Sequence, residues 1–115
     1  DRFYEKNTLI VLKKNKSFIA AGWKNSISSN WKISEINKHI FFKNKIILFD
    51  FWVFKEHRNK GYYTKMLQLI KNLNTKKKFI IYSIDTNLIS VKGILKADFK
   101  LVKTISKCND RSKII

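Results

Sequence analysis

The chain is poor in the residues that build disulfides, tight turns and metal sites. Its 115 residues include no proline, three glycines, two histidines and one cysteine. Because Cys108 has no second cysteine to pair with, an internal disulfide is excluded and a reducing compartment is expected. The histidines, the cysteine and the carboxylates form no group with metal-ligand spacing, so we expect no metal.

The sequence also lacks an initiator methionine, an apolar signal segment and any apolar run long enough to cross a membrane. We therefore interpret the chain as a piece of a soluble cytoplasmic protein whose N-terminal part is short or truncated, with no membrane partner. Hydrophobic residues make up 44% and aromatic residues 14% of the chain, so it can bury a core. The length suits a single domain that spans residues 1–115.

Acidic residues are scarce: eight stand against 25 lysines and arginines, which gives a net charge of +17. Such an excess suggests an anionic partner. However, abundant lysine, asparagine, isoleucine and phenylalanine with little arginine or glycine is also what an AT-rich genome produces, and the lysines are spread along the chain apart from Lys76–Lys78. No recognised nucleic-acid motif is present, so nucleic-acid binding is only the weakest alternative.

Apolar periodicity divides the chain into strands and helices. Thr8–Lys13 and Ser17–Lys24 predict a β-hairpin, and Trp31–Phe42 predicts a short helix or an irregular crossing. Ile46–Phe54 is apolar on both faces apart from Asp50, which is typical of a central strand covered on both sides.

From Gly61 the apolar period becomes that of a helix, whose stripe consists of Tyr63, Met66, Leu67, Ile70 and Leu73. Phe79–Ile84 is a second buried strand, parallel to the first because a helix connects them. A second helix follows the N-cap residue types of Asp85–Asn87. The C-terminal part predicts a strand, a turn and the start of a last strand, at Phe99–Ser106, Cys108–Ser112 and Lys113–Ile115.

These elements predict a mixed α/β (α+β) fold: one mixed, mostly antiparallel twisted sheet with a central parallel strand pair and flanking helices. A second subunit could cover the sheet edges, so a homodimer is one expected assembly. The strand, basic turn and helix of Ile46–Leu73 bring unpaired backbone N–H groups and the positive end of a helix dipole to one point. Such a point suits a phosphate group.

Two motifs in this region resemble the GNAT acyltransferase superfamily. The segment Val53–Gly61, VFKEHRNKG, resembles the acyl-CoA-binding pattern V-x-P-E-Y-R-G-K-G of that family. Downstream, NLISVKGILKADF places Asn87, Ser90 and Phe99 in register with the family pattern N-x-x-A-x-x-x-Y-x-x-x-G-F. The resemblance covers roughly Ile46–Ser106 and implies an acyl-CoA N-acyltransferase fold.

The resemblance implies an enzyme that transfers an acetyl or other acyl group from coenzyme A to a primary amine of a small molecule, such as an amino sugar. Acetyl-CoA would be the co-substrate. Val53 and Phe54 would offer backbone groups to its pantetheine arm, with Asn87 beside the arm or the sulfur and Ser90 nearby. The pyrophosphate would lie on the loop and the first helical turn, formed by Arg58, Asn59, Lys60, Gly61, Tyr62, Tyr63 and Thr64.

The residue types of this loop suit a pyrophosphate independently of the family. Gly61 lets the backbone come close to a ligand because it has no Cβ. Arg58 and Lys60 add charge-assisted contacts, and Thr64 can donate its hydroxyl. An ordinary solvated basic turn would explain the lysine, but not the buried strand before it and the helix after it.

The chain departs from the family pattern at positions that bear on catalysis. Ile94 stands where the family frequently has a tyrosine that protonates the leaving thiolate, Lys55 replaces a proline and Asp98 replaces a glycine. Tyr63 replaces a glycine or alanine, so we expect its ring to turn away from the phosphates into the core. These departures leave open a non-catalytic relative that binds acyl-CoA.

Asp50 and Asn87 are the predicted catalytic residues. Asp50 lies three residues before Val53, and it could act as a base or hold a substrate ammonium. It could equally be a structural aspartate bonded to a lysine or to backbone. Asp50 and Trp52 are the predicted acceptor-binding residues, although aromatic side chains at such positions are also typical of a core.

Overall fold

The structure, a computed structural model, describes residues 7–26, 30–33, 36–106 and 113–114. Within these ranges the elements follow in the order β1 (Thr8–Lys14), β2 (Ser17–Asn25), β3 (Asn30–Ile33), β4 (Lys38–Phe41), β5 (Lys45–Val53), a 3-10 turn (Lys55–His57), α1 (Tyr62–Leu73), β6 (Lys78–Ile81), α2 (Leu88–Lys96), β7 (Ile105–Ser106) and β8 (Lys113–Ile114). None of the helices in these ranges is long and apolar enough to cross a membrane.

β1, β2, β5 and β6 form a mixed four-stranded sheet in that order. The pairs β1–β2 and β2–β5 are antiparallel, whereas β6 returns through α1 to lie parallel to β5. The first hairpin, the parallel pair and the mixed α/β fold are therefore confirmed.

Two predictions about the sheet are wrong. The described strands form three sheets rather than one, because β3 pairs with β4 and β7 pairs with β8, each apart from the main sheet. The parallel pair is also not central: β6 ends the four-stranded sheet, and β5 is its one neighbour among the described strands. The predicted strand Phe79–Ile84 is shorter than expected, since β6 ends at Ile81.

The helix α1 packs on one face of the main sheet. Its buried residues Met66, Leu67 and Ile70 join Ile46 and Leu48 of β5 in one apolar cluster. This confirms the predicted stripe up to Ile70. The stripe ends there, because the last helical residue, Leu73, is 81% exposed.

The described residues of Trp31–Phe42 include two short antiparallel strands, so the predicted helix or irregular crossing is wrong. β3 and β4 pair with Trp31 opposite Ile40, and Asn37 forms the turn with φ of +52°. Trp31 packs on the other face of the main sheet, where its ring centroid lies 4.4 Å from that of Phe49. Of the apolar residues spaced for a helix, Ile33 and Ile40 therefore lie in two paired strands, and Ile36 lies in the turn before β4.

The C-terminal part has less regular structure than predicted. Of the expected strand Phe99–Ser106, only Ile105–Ser106 is a strand, and it pairs with β8 at the position predicted for a last strand. Val102 is 88% exposed, so no packing surface holds the middle of this run in an extended conformation. The predicted turn Cys108–Ser112 lies outside the described residues.

Candidate functional site

A β-bulge interrupts β5 at Asp50. In the β2–β5 ladder, Ala21 lies opposite Trp52 and Trp23 lies opposite Phe49. Two residues of β5, Asp50 and Phe51, therefore stand against the single residue Gly22, and Asp50 takes a left-handed backbone conformation with φ of +52°.

The bulge changes which side chains of β5 face α1. Before it, Ile46 and Leu48 pack against the helix; after it, Phe51 and Val53 do so. Without the extra residue, strict alternation would direct Asp50 and Trp52 into this apolar cluster. Asp50 and Trp52 are exposed instead, so the predicted covering of β5 on both faces holds only for its first half.

Gly22 gives the ring of Phe51 the space that the bulge requires. A Cβ at position 22 would overlap the ring atoms of Phe51. The bulge therefore depends on one glycine of β2 as well as on the backbone of Asp50.

β5 and β6 separate at the bulge and leave a cleft between them. Their parallel ladder extends from Lys45–Lys78 to Leu48–Ile81 and stops there. Beyond it lies a cleft of about 190 Å³ whose walls come from the ends of both strands and the first turns of both helices: Phe49, Asp50, Phe51, Tyr63, Ile81, Tyr82, Ser83, Ile84, Asn87 and Ser90. Two parallel strands that separate in this way can hold an extended ligand between their backbones.

The N-terminus of α1 lies next to this cleft. Gly61 is its N-cap with φ of +77°, and no side chain caps the helix there. The N–H groups of Tyr62, Tyr63 and Thr64 stand in the first turn, where a helix has no internal acceptors. A Cβ at Gly61 would meet no atom within 4 Å, so the space beside this backbone is open.

The basic loop before α1 is tied to the end of β5. The Arg58 Nε donates to the Val53 carbonyl at 2.9 Å, and the Arg58 N–H donates to the Lys55 carbonyl at 3.3 Å. Asn59 has φ of +63°. Arg58, Asn59 and Lys60 are all exposed, so their polar groups can reach a ligand at the helix terminus.

Some predicted ligand contacts are already used within the protein. The Phe54 N–H donates to the Ile19 carbonyl at 2.9 Å, which continues the β2–β5 pairing. The Thr64 hydroxyl donates to the Gly93 carbonyl at 3.2 Å and so joins α1 to α2. The contact expected between the Thr64 hydroxyl and a phosphate is therefore replaced by a contact between the helices.

Asn87 caps α2 and lines the cleft. Its side-chain oxygen accepts a hydrogen bond from the Ser90 N–H at 3.2 Å, as an N-cap residue should. This confirms the predicted start of the second helix. The remaining NH₂ group of the amide is a donor of the kind that binds carbonyl groups.

Tyr63 turns its ring into the core, as predicted from the sequence. Its ring packs in part against the α1 cluster, edge-on to Phe51 with centroids 6.4 Å apart, but its hydroxyl lies 3.3 Å from the Ser90 hydroxyl in the wall of the cleft. Burial raises the pKa of the Tyr63 phenol above its ordinary value of 10.0, and the hydrogen bond with Ser90 opposes that rise. The Tyr63 phenol therefore keeps its proton at physiological pH.

The structure brings four of the predicted residues together and leaves others outside. Asp50, Tyr63, Asn87 and Ser90 line the same cleft. Trp52 does not line it: the residue is 40% exposed, and its ring stands edge-on to Phe54 at 6.3 Å between centroids. Among the residues the structure describes, no three histidine, cysteine or carboxylate groups are placed to hold a metal ion.

Ser83 is a cleft residue that sequence reasoning did not identify. It is buried, and its hydroxyl donates to the Ile84 carbonyl at 3.3 Å. A polar residue near the end of the apolar run Phe79–Ile84 was the available signal, since ligand sites of parallel strands lie at their carboxyl ends.

Comparisons of the chain with protein-family models, with curated proteins and with solved structures find no match. A function for this chain must therefore be inferred from the geometry of the cleft and from its residues.

Proposed function

We propose that the protein is an acyl-CoA-dependent N-acyltransferase of the GNAT type, which transfers an acetyl or other acyl group to a primary amine of a small molecule. The observation that carries this proposal is the separation of two parallel strands at the Asp50 bulge, with an open helix N-terminus beside the resulting cleft. Coenzyme A has the matching shape, an extended amide-containing arm joined to a pyrophosphate.

The helix terminus and the loop suit the pyrophosphate end of the donor. The first-turn N–H groups of α1 and the helix dipole favour an anion, and Gly61 adds no side chain to block it. Arg58 and Lys60 supply positive charge at the same end of the helix. This arrangement supports a pyrophosphate with its two negative charges more strongly than a neutral ligand.

The cleft suits the thioester end. Backbone groups of β5 beyond the bulge have no β6 partner in the ladder, so they can pair with the amides of the pantetheine arm. The Val53 carbonyl is the exception, because it already accepts from the Arg58 side chain. Asn87 and Ser90 stand at the start of α2 on the opposite wall. The donor would thus extend from the α1 terminus towards Asp50.

The chemistry requires an amine to attack the thioester carbonyl near the bulge. Asp50 is exposed and lines the cleft, so its carboxylate can hold the ammonium of the acceptor or take its proton as the C–N bond forms. Trp52 and Phe54, both exposed on the strand end next to Asp50, offer apolar surface to the acceptor.

Calorimetric titration with acetyl-CoA tests the proposal. We expect saturable binding with one site per chain, followed by release of free thiol when a library of small amines is added. Saturable binding without thiol release for any amine would indicate the non-catalytic relative. An absence of saturable binding by the folded protein would reject both.

A further inference from the structure

The cleft contains a pair of neighbouring hydroxyl groups, those of Tyr63 and Ser90. Tyr63 in the first turn of α1 and Ser90 in the first turn of α2 place their oxygens 3.3 Å apart. Both residues line the cleft together with Asp50 and Asn87. The pair therefore faces the space proposed for the reacting end of the donor.

The fold makes a specific place for the Tyr63 ring. Gly93 of α2 is buried, and a Cβ there would overlap the ring of Tyr63. Phe51, which the bulge turns towards α1, contacts the ring edge-on. Gly93 of α2 and Phe51 of β5 therefore hold the phenol with its hydroxyl at the wall of the cleft, and a rigid donor costs little to organise when a ligand binds.

We propose that the Tyr63 hydroxyl, held by Ser90, donates a hydrogen bond to the sulfur of the donor thioester and stabilises the thiolate that leaves. This inference rests on the proposed acyl transfer. Ile94 of α2 has no hydroxyl that could perform this function, so the inference assigns it to Tyr63 of α1. Ser90 is a positioning residue, because it acts through Tyr63.

The reaction balances without loss of the tyrosine proton. The amine nitrogen forms a bond to the carbonyl carbon, the C–S bond breaks, and its electron pair stays on sulfur. The proton lost by the amine passes to Asp50 or to water and finally to the thiolate. A thiol ionises near pH 8.5 and a phenol near pH 10, so transfer of the phenol proton to sulfur would be roughly thirtyfold unfavourable. Tyr63 therefore keeps its proton and acts as a hydrogen-bond donor.

The pH dependence of coenzyme A binding tests this inference without knowledge of the acceptor. A donor aimed at sulfur favours the bound thiolate, so the affinity for coenzyme A should rise as the thiol ionises. S-methyl-coenzyme A, which cannot ionise at sulfur, is the reference ligand. Between about pH 7 and about pH 9.5 we expect the ratio of the two affinities to rise about tenfold for the unmodified protein. Calorimetry measures both ligands.

Three variants separate the role of the Tyr63 hydroxyl in ligand binding from its role as a contact between α1 and α2. Tyr63→Phe should abolish the rise with pH, and Ser90→Ala should reduce it. Gln68→Ala is the matched control, because the Gln68 side chain donates to the Lys96 carbonyl at 3.4 Å and so also joins α1 to α2, outside the cleft. This control should keep the full rise.

Each outcome separates the two proposals. If Tyr63→Phe binds coenzyme A and keeps the full pH dependence, the hydroxyl is only a contact between helices and the inference is wrong. If the unmodified protein binds neither ligand, the proposed function is wrong, and so is the inference that rests on it. If a thermal melt shows that Tyr63→Phe does not fold, Ser90→Ala tests the inference instead. An unchanged rise of the affinity ratio with pH in that variant contradicts the role of the pair.

Discussion

Gly22 is the single residue on which the shape of the cleft depends most directly. Because a Cβ at this position would overlap the Phe51 ring, Gly22→Ala must displace the ring or straighten the bulge. We expect it to lower the free energy of unfolding by about 1–3 kcal/mol, the usual cost of overpacking a filled site. Denaturant unfolding measures this loss.

A double variant tests whether the Phe51 ring causes that loss. Phe51→Leu alone should destabilise the protein because it removes buried aromatic area. Combined with Gly22→Ala, it should cost less than the sum of the two separate losses, since the overlap is then relieved. Strictly additive losses would show that the Gly22 Cβ and the Phe51 ring do not meet.

Gly61 acts through its backbone conformation rather than through space. Its φ of +77° is costly for alanine, while a Cβ there would meet no atom within 4 Å. We expect Gly61→Ala to lower stability by about 1 kcal/mol and to weaken acetyl-CoA binding as the helix start shifts. Thermal unfolding and calorimetry give the two values.

Asparagine provides the control at this position, because it adopts left-handed conformations more readily than alanine does. Gly61→Asn should therefore be more stable than Gly61→Ala. An equal loss in both variants would mean that steric contact, and not φ, explains the need for glycine.

At the residue scale, the sequence predicts some of these roles and hides others. Gly61 is recognisable because it stands between an apolar strand and an amphipathic helix. Gly22 and the bulge at Asp50 are not recognisable. β5 is apolar on both faces before the bulge, so its sequence has no alternation of polar and apolar residues whose shift by one position would reveal the insertion. The position of Tyr63 depends on Gly93, thirty residues later, and no local pattern reveals such a contact.

At the scale of elements, the cap of α2 has a structural role that can be separated from ligand binding. Asn87→Ala removes the oxygen that accepts from the Ser90 N–H, so we expect a loss of about 1 kcal/mol in stability and weaker acetyl-CoA binding. Asn87→Ser keeps a capping oxygen but loses the amide. It should retain most of the stability and still bind acetyl-CoA more weakly, which denaturant unfolding and calorimetry can establish.

If Asn87→Ser binds acetyl-CoA as well as the unmodified protein, the amide makes no contact with the donor and Asn87 is a cap alone. That result would remove Asn87 from the candidate site while leaving the cleft itself in place.

The elements that local pattern predicts well are those whose apolar period continues without interruption. The strand–turn–helix of Ile46–Leu73 and the capped start of α2 are of this kind. Trp31–Phe42 is not, because its apolar residues fit a helix and a hairpin equally, and packing against Phe49 on the sheet decides between them. Packing also explains why the run after Phe99 is not the predicted strand, because Val102 is exposed and no neighbouring surface holds this part of the chain.

At the scale of the whole molecule, the net charge of +17 has two possible effects on an anionic ligand. A general excess of lysine raises the potential around the entire protein, and salt screens this effect with a Debye length of about 8 Å at physiological ionic strength. A local site depends on particular cations near the phosphate. The two effects can be told apart by position, because lysines stand at both ends of α1.

Charge removal at the two ends of α1 should therefore have unequal consequences. Lys60 precedes the helix, whereas Lys76 and Lys77 follow it, and the 12 residues of α1 span about 18 Å, more than two Debye lengths. We expect Lys60→Gln to weaken acetyl-CoA binding about threefold at physiological salt, and the double variant Lys76→Gln/Lys77→Gln to leave it unchanged although it removes more charge. Calorimetry at low and physiological salt measures both. Equal weakening by the two variants would show that the binding of the anion depends on the overall charge of the molecule, and that the N-terminus of α1 is not its site.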